Sequence, residues 1–161
     1  MIVVSDSSPL IALATVGHLD LLRELYREVL IPQAVRQEVV EDARDPAVAQ
    51  QILDAAWIET ATGSEAALPL EVGRLDPGEA AAIALALRVG ADLLLVDDLQ
   101  ARMAAARMGI RITGMAGVLM DAKKHGMLPA VKPVLDQLSR LLAFRLGADL
   151  YQFILDTAGE L

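Results

Sequence analysis

Five acids in this chain, Asp6, Glu38, Glu79, Asp97 and Asp98, have the type and spacing to share one site. Carboxylates a few ångströms apart raise one another's pKa or destabilise the fold that holds them. A divalent cation removes that conflict. Mg²⁺ and Mn²⁺ take hard oxygen donors and keep waters in their shell. Either ion lowers the pKa of a water and neutralises a phosphodiester, so a carboxylate-only site suits phosphoryl transfer. Each acid also has a plain structural use. Asp6, Ser7 and Ser8 can cap a helix beginning at Pro9, and Asp76 with Glu79 can form a capping box. Asp98 can cap a helix from Leu99 and leave Asp97 as a solvated turn residue. Glu38 stands near the other acids Glu41 and Asp42. The two uses are compatible, because a cap at a strand end aims its carboxylate where ligands bind.

The elements that must position these acids follow from the hydrophobic pattern. Ile2–Val4 reads as a buried strand, and Pro9 suits the first turn of a helix over 9–15. Leu19, Leu22, Leu25 and Tyr26 recur at helical spacing. Val29–Ile31 is a second strand, and Pro32 opens a helix carrying Ala34, Val35, Glu38 and Val39. Residues 46–55 read as a helix and Trp57–Thr60 as a third strand. An irregular connection covers 61–75, with Gly63, Ser64, Pro69 and Gly73. Asp76 then caps a helix running to Leu87 and stopped by Gly90. Leu93–Val96 is wholly apolar, as a central parallel strand must be. The pattern continues with a helix over Leu99–Met108, a strand over Ile110–Thr113 and a helix over 115–124. Pro129 starts a helix of about 130–143, and one more helix closes the chain. Strands alternating with helices across short turns predict a parallel sheet covered on both faces. In such a sheet ligands bind at the carboxyl ends of the strands. Asp6, Asp97 and Asp98 fall there, Glu79 lies in the first turn of the helix before the fourth strand, and Glu38 follows the second strand.

Composition narrows the chemistry further. The chain has 161 residues, 55% of them hydrophobic, which suits one domain with a real core and excludes extended disorder. There is no cysteine, hence no disulfide, thiolate nucleophile or Cys-ligated metal. With only His18 and His125, a histidine-rich metal site is excluded as well. No secretory leader or uncharged run long enough for a membrane span is visible, so the chain is expected to be cytoplasmic. The net charge is −8 but unevenly spread. Residues 88–145 carry nine Lys and Arg against five Asp, among them Arg102, Arg107, Arg111, Lys123, Lys124, Lys132, Arg140 and Arg145. That segment is either a set of solvated helix faces or a track for a phosphate backbone.

Four segments in order, VVSDSSPLIAL at 3–13, IPQAVRQEV at 31–39, LDPGEAAAIALAL at 75–87 and ADLLLVDDLQARMAA at 91–105, together resemble the PIN-domain nucleases. The likeness is greatest to the branch that includes the VapC-type toxins, and it spans about residues 1–125. The resemblance implies an α/β fold, a three-layer α/β/α sandwich around a parallel sheet of about five strands. It also implies a ribonuclease dependent on Mg²⁺ or Mn²⁺ and cleaving an RNA substrate with a metal-activated water. Carried across, the catalytic acids are Asp6, Glu38, Glu79 and Asp98. Asp6, Glu79, Asp97 and Asp98 are the metal donors, with Asp97 or Asp98 as the principal fourth acid. Ser7 or Ser8 matches the small polar residue that orients a carboxylate or water, and Arg102 either touches phosphate or pairs with an acid. A cognate antitoxin protein and a homo-oligomer, a dimer, are the expected partners. Two departures stand out: Val96 occupies a place often held by Thr or Ser, and the third acid is Glu79 where VapC toxins often have Asp.

Other readings compete. Phosphoryl-accepting folds also place acids at strand ends, but a dehalogenase-type site needs Asp-x-Asp where this chain has Asp6-Ser7-Ser8. A receiver-type site needs its acid pair at the first strand and a late Lys, whereas here the pair is 97–98 and the first Lys is Lys123. A degenerate PIN-like module that binds RNA or a protein without cleavage is the remaining alternative. Trp57, Phe144, Tyr151 and Phe153 are expected to pack a core or an interface, with stacking on RNA the lesser alternative for Tyr151 or Phe153. Met103, Met108, Met115, Met120 and Met127 are expected to fill buried helix faces, and both histidines to sit at helix ends.

Overall fold

The computed structural model describes residues 1–63, 74–142 and 146–161. Ser64, Pro69 and Gly73 of the expected connection, and Phe144 and Arg145, lie outside the described residues. Five strands form one parallel sheet: β1 (Val3–Ser5), β2 (Val29–Ile31), β3 (Ile58–Thr60), β4 (Leu93–Leu95) and β5 (Ile112–Thr113). Their spatial order is β3-β2-β1-β4-β5. The central pair is β1 and β4, in register Val3 to Leu93, Val4 to Leu94 and Ser5 to Leu95. All six of these residues are buried, which explains why β4 is a wholly apolar run.

The helices are α1 (Ser7–Thr15), α2 (Asp20–Tyr26), α3 (Gln33–Arg36), α4 (Pro46–Asp54), α5 (Pro77–Val89), α6 (Leu99–Arg107), α7 (Met115–Lys124), α8 (Lys132–Leu141) and α9 (Ala148–Thr157). A π-helical turn, Gln37–Glu41, continues α3 and carries Glu38. The helices cover the sheet to make a three-layer α/β/α sandwich, with α3, α5 and α6 packed in succession, α1 on α4, and α2 on α7. Leu10, Leu13, Leu22, Ile83, Leu85, Leu119 and Leu135 fill the space between sheet and helices.

Local chemistry sets the helix ends. Asp45 accepts the Ala47 amide at 2.9 Å to start α4. Asp76 and Glu79 form a complete capping box around Pro77, and Gly90 ends α5 in the left-handed conformation at φ 61°. One end is strained: Arg27, at the C-cap of α2, has φ 70° and ψ −54°, where a side chain is unfavourable. Arg27→Gly is expected to raise stability by about 1 kcal/mol in urea unfolding, since glycine relieves that strain.

The expected boundaries differ from the observed ones in two places that matter. α1 begins at Ser7, not Pro9, so Asp6 sits directly at its start. α8 begins at Lys132, not near Pro129, because Glu160 of the C-terminal segment accepts the Val131 and Lys132 amides at 2.7 and 3.0 Å. Met103 is exposed, against the expectation that it fills a buried helix face, because α6 turns it outward; Phe153 is exposed on α9 and so is not part of the core. Met115 is fully buried, and Met108, Met120, Met127, Trp57 and Tyr151 pack on the core. His18 precedes α2 and His125 is the C-cap of α7, both at helix ends.

Candidate active site

Among the described residues, the buried polar or charged side chains are three consecutive ones, Ser5, Asp6 and Ser7. They close β1, next to the carboxyl end of β4. The Asp6 amide donates to the Leu95 carbonyl at 2.9 Å, so it extends the ladder between the two central strands by one residue. β1 is paired on one side with β2 and on the other with β4, which comes much later in the chain. The order of connection therefore reverses at Asp6, the place where open parallel sheets bind ligands.

Asp6 is 4% exposed and stands at the N-cap position of α1, yet its side chain makes no cap hydrogen bond to that helix. Burial raises its pKa to about 7. The Ser7 amide opposes this, and the charges of Asp76, Glu38 and Asp97 add to it. A carboxyl so buried destabilises the fold when it ionises.

The other acids stand around it. Glu38 receives the Ser7 hydroxyl at 2.6 Å. It also lies against Gly78 at the start of α5, so closely that a Cβ on Gly78 would overlap its carboxylate. The Glu79 carboxylate accepts the Asp76 amide at 3.2 Å, while Asp76 accepts the Glu79 amide at 2.7 Å. Burial, together with the Asp76 and Asp98 charges, pushes Glu79 up to about 7. Asp98 accepts the Ala101 amide at 3.0 Å and caps α6. Asp97 is not a solvated turn residue. It is half-buried and accepts the Met115 amide of α7 at 2.8 Å. Burial raises its pKa, against the pull of that amide and of Arg102. Gly114 makes this approach possible, since a Cβ there would stand 2.5 Å from Asp97 Oδ1 and 2.6 Å from Arg102 Nη1.

The acids thus gather at the N-termini of α1, α5, α6 and α7, whose amide ends offset part of their repulsion. Ser8 is exposed on the first turn of α1. Arg102 lies beside Asp97, with Nη1 3.5 Å from the Val96 carbonyl oxygen. Three participants were not singled out from the sequence: Asp76, read only as a cap, and the glycines Gly78 and Gly114. Of the basic residues in 88–145, Lys123 is tied to Glu160 at 2.9 Å and Lys132 to Asp136 at 2.7 Å, so both are engaged within the chain.

A family model for the PIN domain matches residues 2–160. The chain belongs to the PIN-domain family. No curated protein matches it. PIN domains are nuclease-type modules and generally use divalent metals, so the family accounts for acids at the carboxyl ends of the central strands. The carboxylates of this PIN domain are hard oxygen donors of the kind such an ion takes, and burial with the nearby acid charges holds Asp6 near pKa 7. Among the described residues no three acids or histidines stand close enough to form a ready metal-binding group. The capping bonds of Glu79 and Asp98 keep those two carboxylates on their own helices. Among the described residues no helix is long and apolar enough to cross a membrane.

Proposed function

We propose that this PIN domain is a metal-dependent endoribonuclease acting through Asp6, Glu38, Glu79 and Asp98. The observation that carries the reading is Asp6: a buried carboxyl at the reversal point of the sheet, without the usual N-cap hydrogen bond, and near other acids. Asp6, Glu79 and Asp98 hold the ion, with Glu38 or Asp97 assisting. Mg²⁺ or Mn²⁺ supplies the positive charge a phosphodiester needs and acidifies the attacking water. The chain's own residues do the rest. The Ser7 hydroxyl fixes the rotamer of Glu38, and the Met115 amide holds Asp97 in place. Arg102 offers a guanidinium to the phosphate at the Asp97 side. The whole chain, 1–161, acts as one domain on cytoplasmic RNA. As the toxin of a toxin–antitoxin pair, an acidic chain of net charge −8 would suit a basic antitoxin segment, and a dimer would be its working form.

A second reading, a PIN domain that binds RNA or a protein without cutting, draws on one observation: Glu79 and Asp98 are each engaged in helix capping. Incubation with single-stranded and hairpin RNAs in Mn²⁺ separates the two. The nuclease reading expects EDTA-sensitive cleavage that falls at least ~100-fold in both Glu38→Gln and Asp98→Asn, as for loss of a group that stabilises transition-state charge. Binding without products would favour the second reading.

A further inference from the structure

Beside Asp97 lies a groove of about 670 Å³ between β5, α6, α7 and α9. Asp97 and Arg102 line it together with Leu150 and Phe153 of α9. Two glycines keep it open. A Cβ at Gly114 would press on Asp97 and Arg102, and one at Gly117 would collide with the Thr113 hydroxyl. The α9 wall is fixed in place: Ile154 and Leu155 are buried, the Tyr151 hydroxyl donates to Asp136 at 2.6 Å, and Glu160 is clamped by Lys123. From this anchored helix Phe153 projects with 61% of its surface exposed and Leu150 with 49%. An apolar ring held out on a rigid wall, in a largely apolar groove that reaches Asp97 and Arg102 at one end, is a binding feature and not a packing one.

We infer that this groove is a nucleobase subsite, in which an unpaired base next to the bound phosphodiester stacks on the Phe153 ring. The inference rests on the nuclease reading and extends it to a second contact with the same strand. A phosphodiester held at Asp97 and Arg102 brings its neighbouring base to residues of the same groove. The base has an apolar face for Phe153 and Leu150, and Arg102 at the other end of the groove faces its phosphate, so the nucleotide matches the two-sided lining. Stacking needs no particular base, and a paired base cannot offer its face, so the subsite selects single-stranded over duplex RNA.

The test uses the full chain and an oligouridylate nonamer carrying one 2-aminopurine, placed in turn at each position, with Ca²⁺ in place of Mg²⁺ to hold the strand uncut. Fluorescence should be quenched on binding at one position. Phe153→Ala should abolish that quench and weaken binding roughly tenfold, and Phe153→Trp should keep both. The exposed position of Phe153 leaves folding unaffected. Equal binding and quenching by Phe153→Ala overturns the subsite while leaving the nuclease reading intact. If wild type and Phe153→Ala bind RNA alike but differ in sedimentation mass, the face joins copies of this chain and the subsite is again overturned. No RNA binding by wild type overturns both the subsite and the nuclease reading beneath it.

Discussion

Asp6→Asn is expected to make the metal-free protein more stable at pH 8 while abolishing RNA cleavage. The stability gain follows from the direction of the Asp6 shift. Its pKa is about 7 in the folded chain, against an ordinary value of 3.8 that the unfolded chain keeps. Below the lower value the carboxyl is protonated in both states and has no effect. Between the two values only the unfolded chain loses the proton, so folding stability declines as pH rises through this window. Above pH 7 the loss is complete and constant. At about 1.4 kcal/mol per unit, the destabilisation at pH 8 reaches up to about 4 kcal/mol, because the site is buried and poorly screened. Asparagine keeps the shape and removes the charge. Thermal melts in EDTA should therefore coincide for wild type and Asp6→Asn near pH 4 and separate by several degrees at pH 8, with the variant higher. Added Mn²⁺ should raise only the wild-type curve, since binding to the folded state stabilises it. A wild-type chain more stable than the variant in EDTA at pH 8 would contradict the account.

Gly78→Ala carries the second large effect, and it runs against helix propensity. Alanine in the first turn of α5 would ordinarily favour the helix over glycine. Here the new methyl group would occupy the place of the Glu38 carboxylate, which the Ser7 hydroxyl holds at 2.6 Å. Glu38 must swing out and give up that bond. A displacement of about 1 Å in a positioned catalytic group costs on the order of 100-fold in rate, so cleavage should fall by that factor while circular dichroism stays unchanged. Ser7→Ala, which loosens Glu38 without pushing it, should cost about tenfold. The double variant should match Gly78→Ala alone, because both act through one side chain. Independent, multiplying losses would mean that Ser7 and Gly78 serve different ends.

Much of this architecture is written locally, which is why it is legible from the sequence. Val29–Ile31 and Leu93–Val96 are apolar β-branched or leucine runs with no alternative use, and Asp76-Pro77 with Glu79 is a start signal complete within four residues. The position of the acids at the strand ends follows from those runs. What is not legible depends on contacts distant in the chain. The start of α8 at Lys132 is set by Glu160, 28 residues away. Asp97 reads as a turn residue until the Met115 amide, 18 residues on, is brought to it. Asp76 looks like a cap alone, because nothing near it in sequence shows that Asp6 stands within reach of its charge. Gly78 and Gly114 resemble ordinary turn or helix-start glycines; only the carboxylates packed against them show what a side chain there would displace. The π-helical turn that carries Glu38 has no local signal in the 33–41 segment.

The central claim is that the acids at the ends of β1 and β4 form one divalent-cation site. Titration calorimetry with Mn²⁺ on the wild-type chain and on the Asp6→Ala, Asp98→Ala variant tests it most directly. The account predicts saturable binding by the wild type at neutral pH, with proton release as Asp6 and Glu79 ionise, and loss of that binding in the variant. No binding by the wild type, or equal binding by the variant, would contradict it.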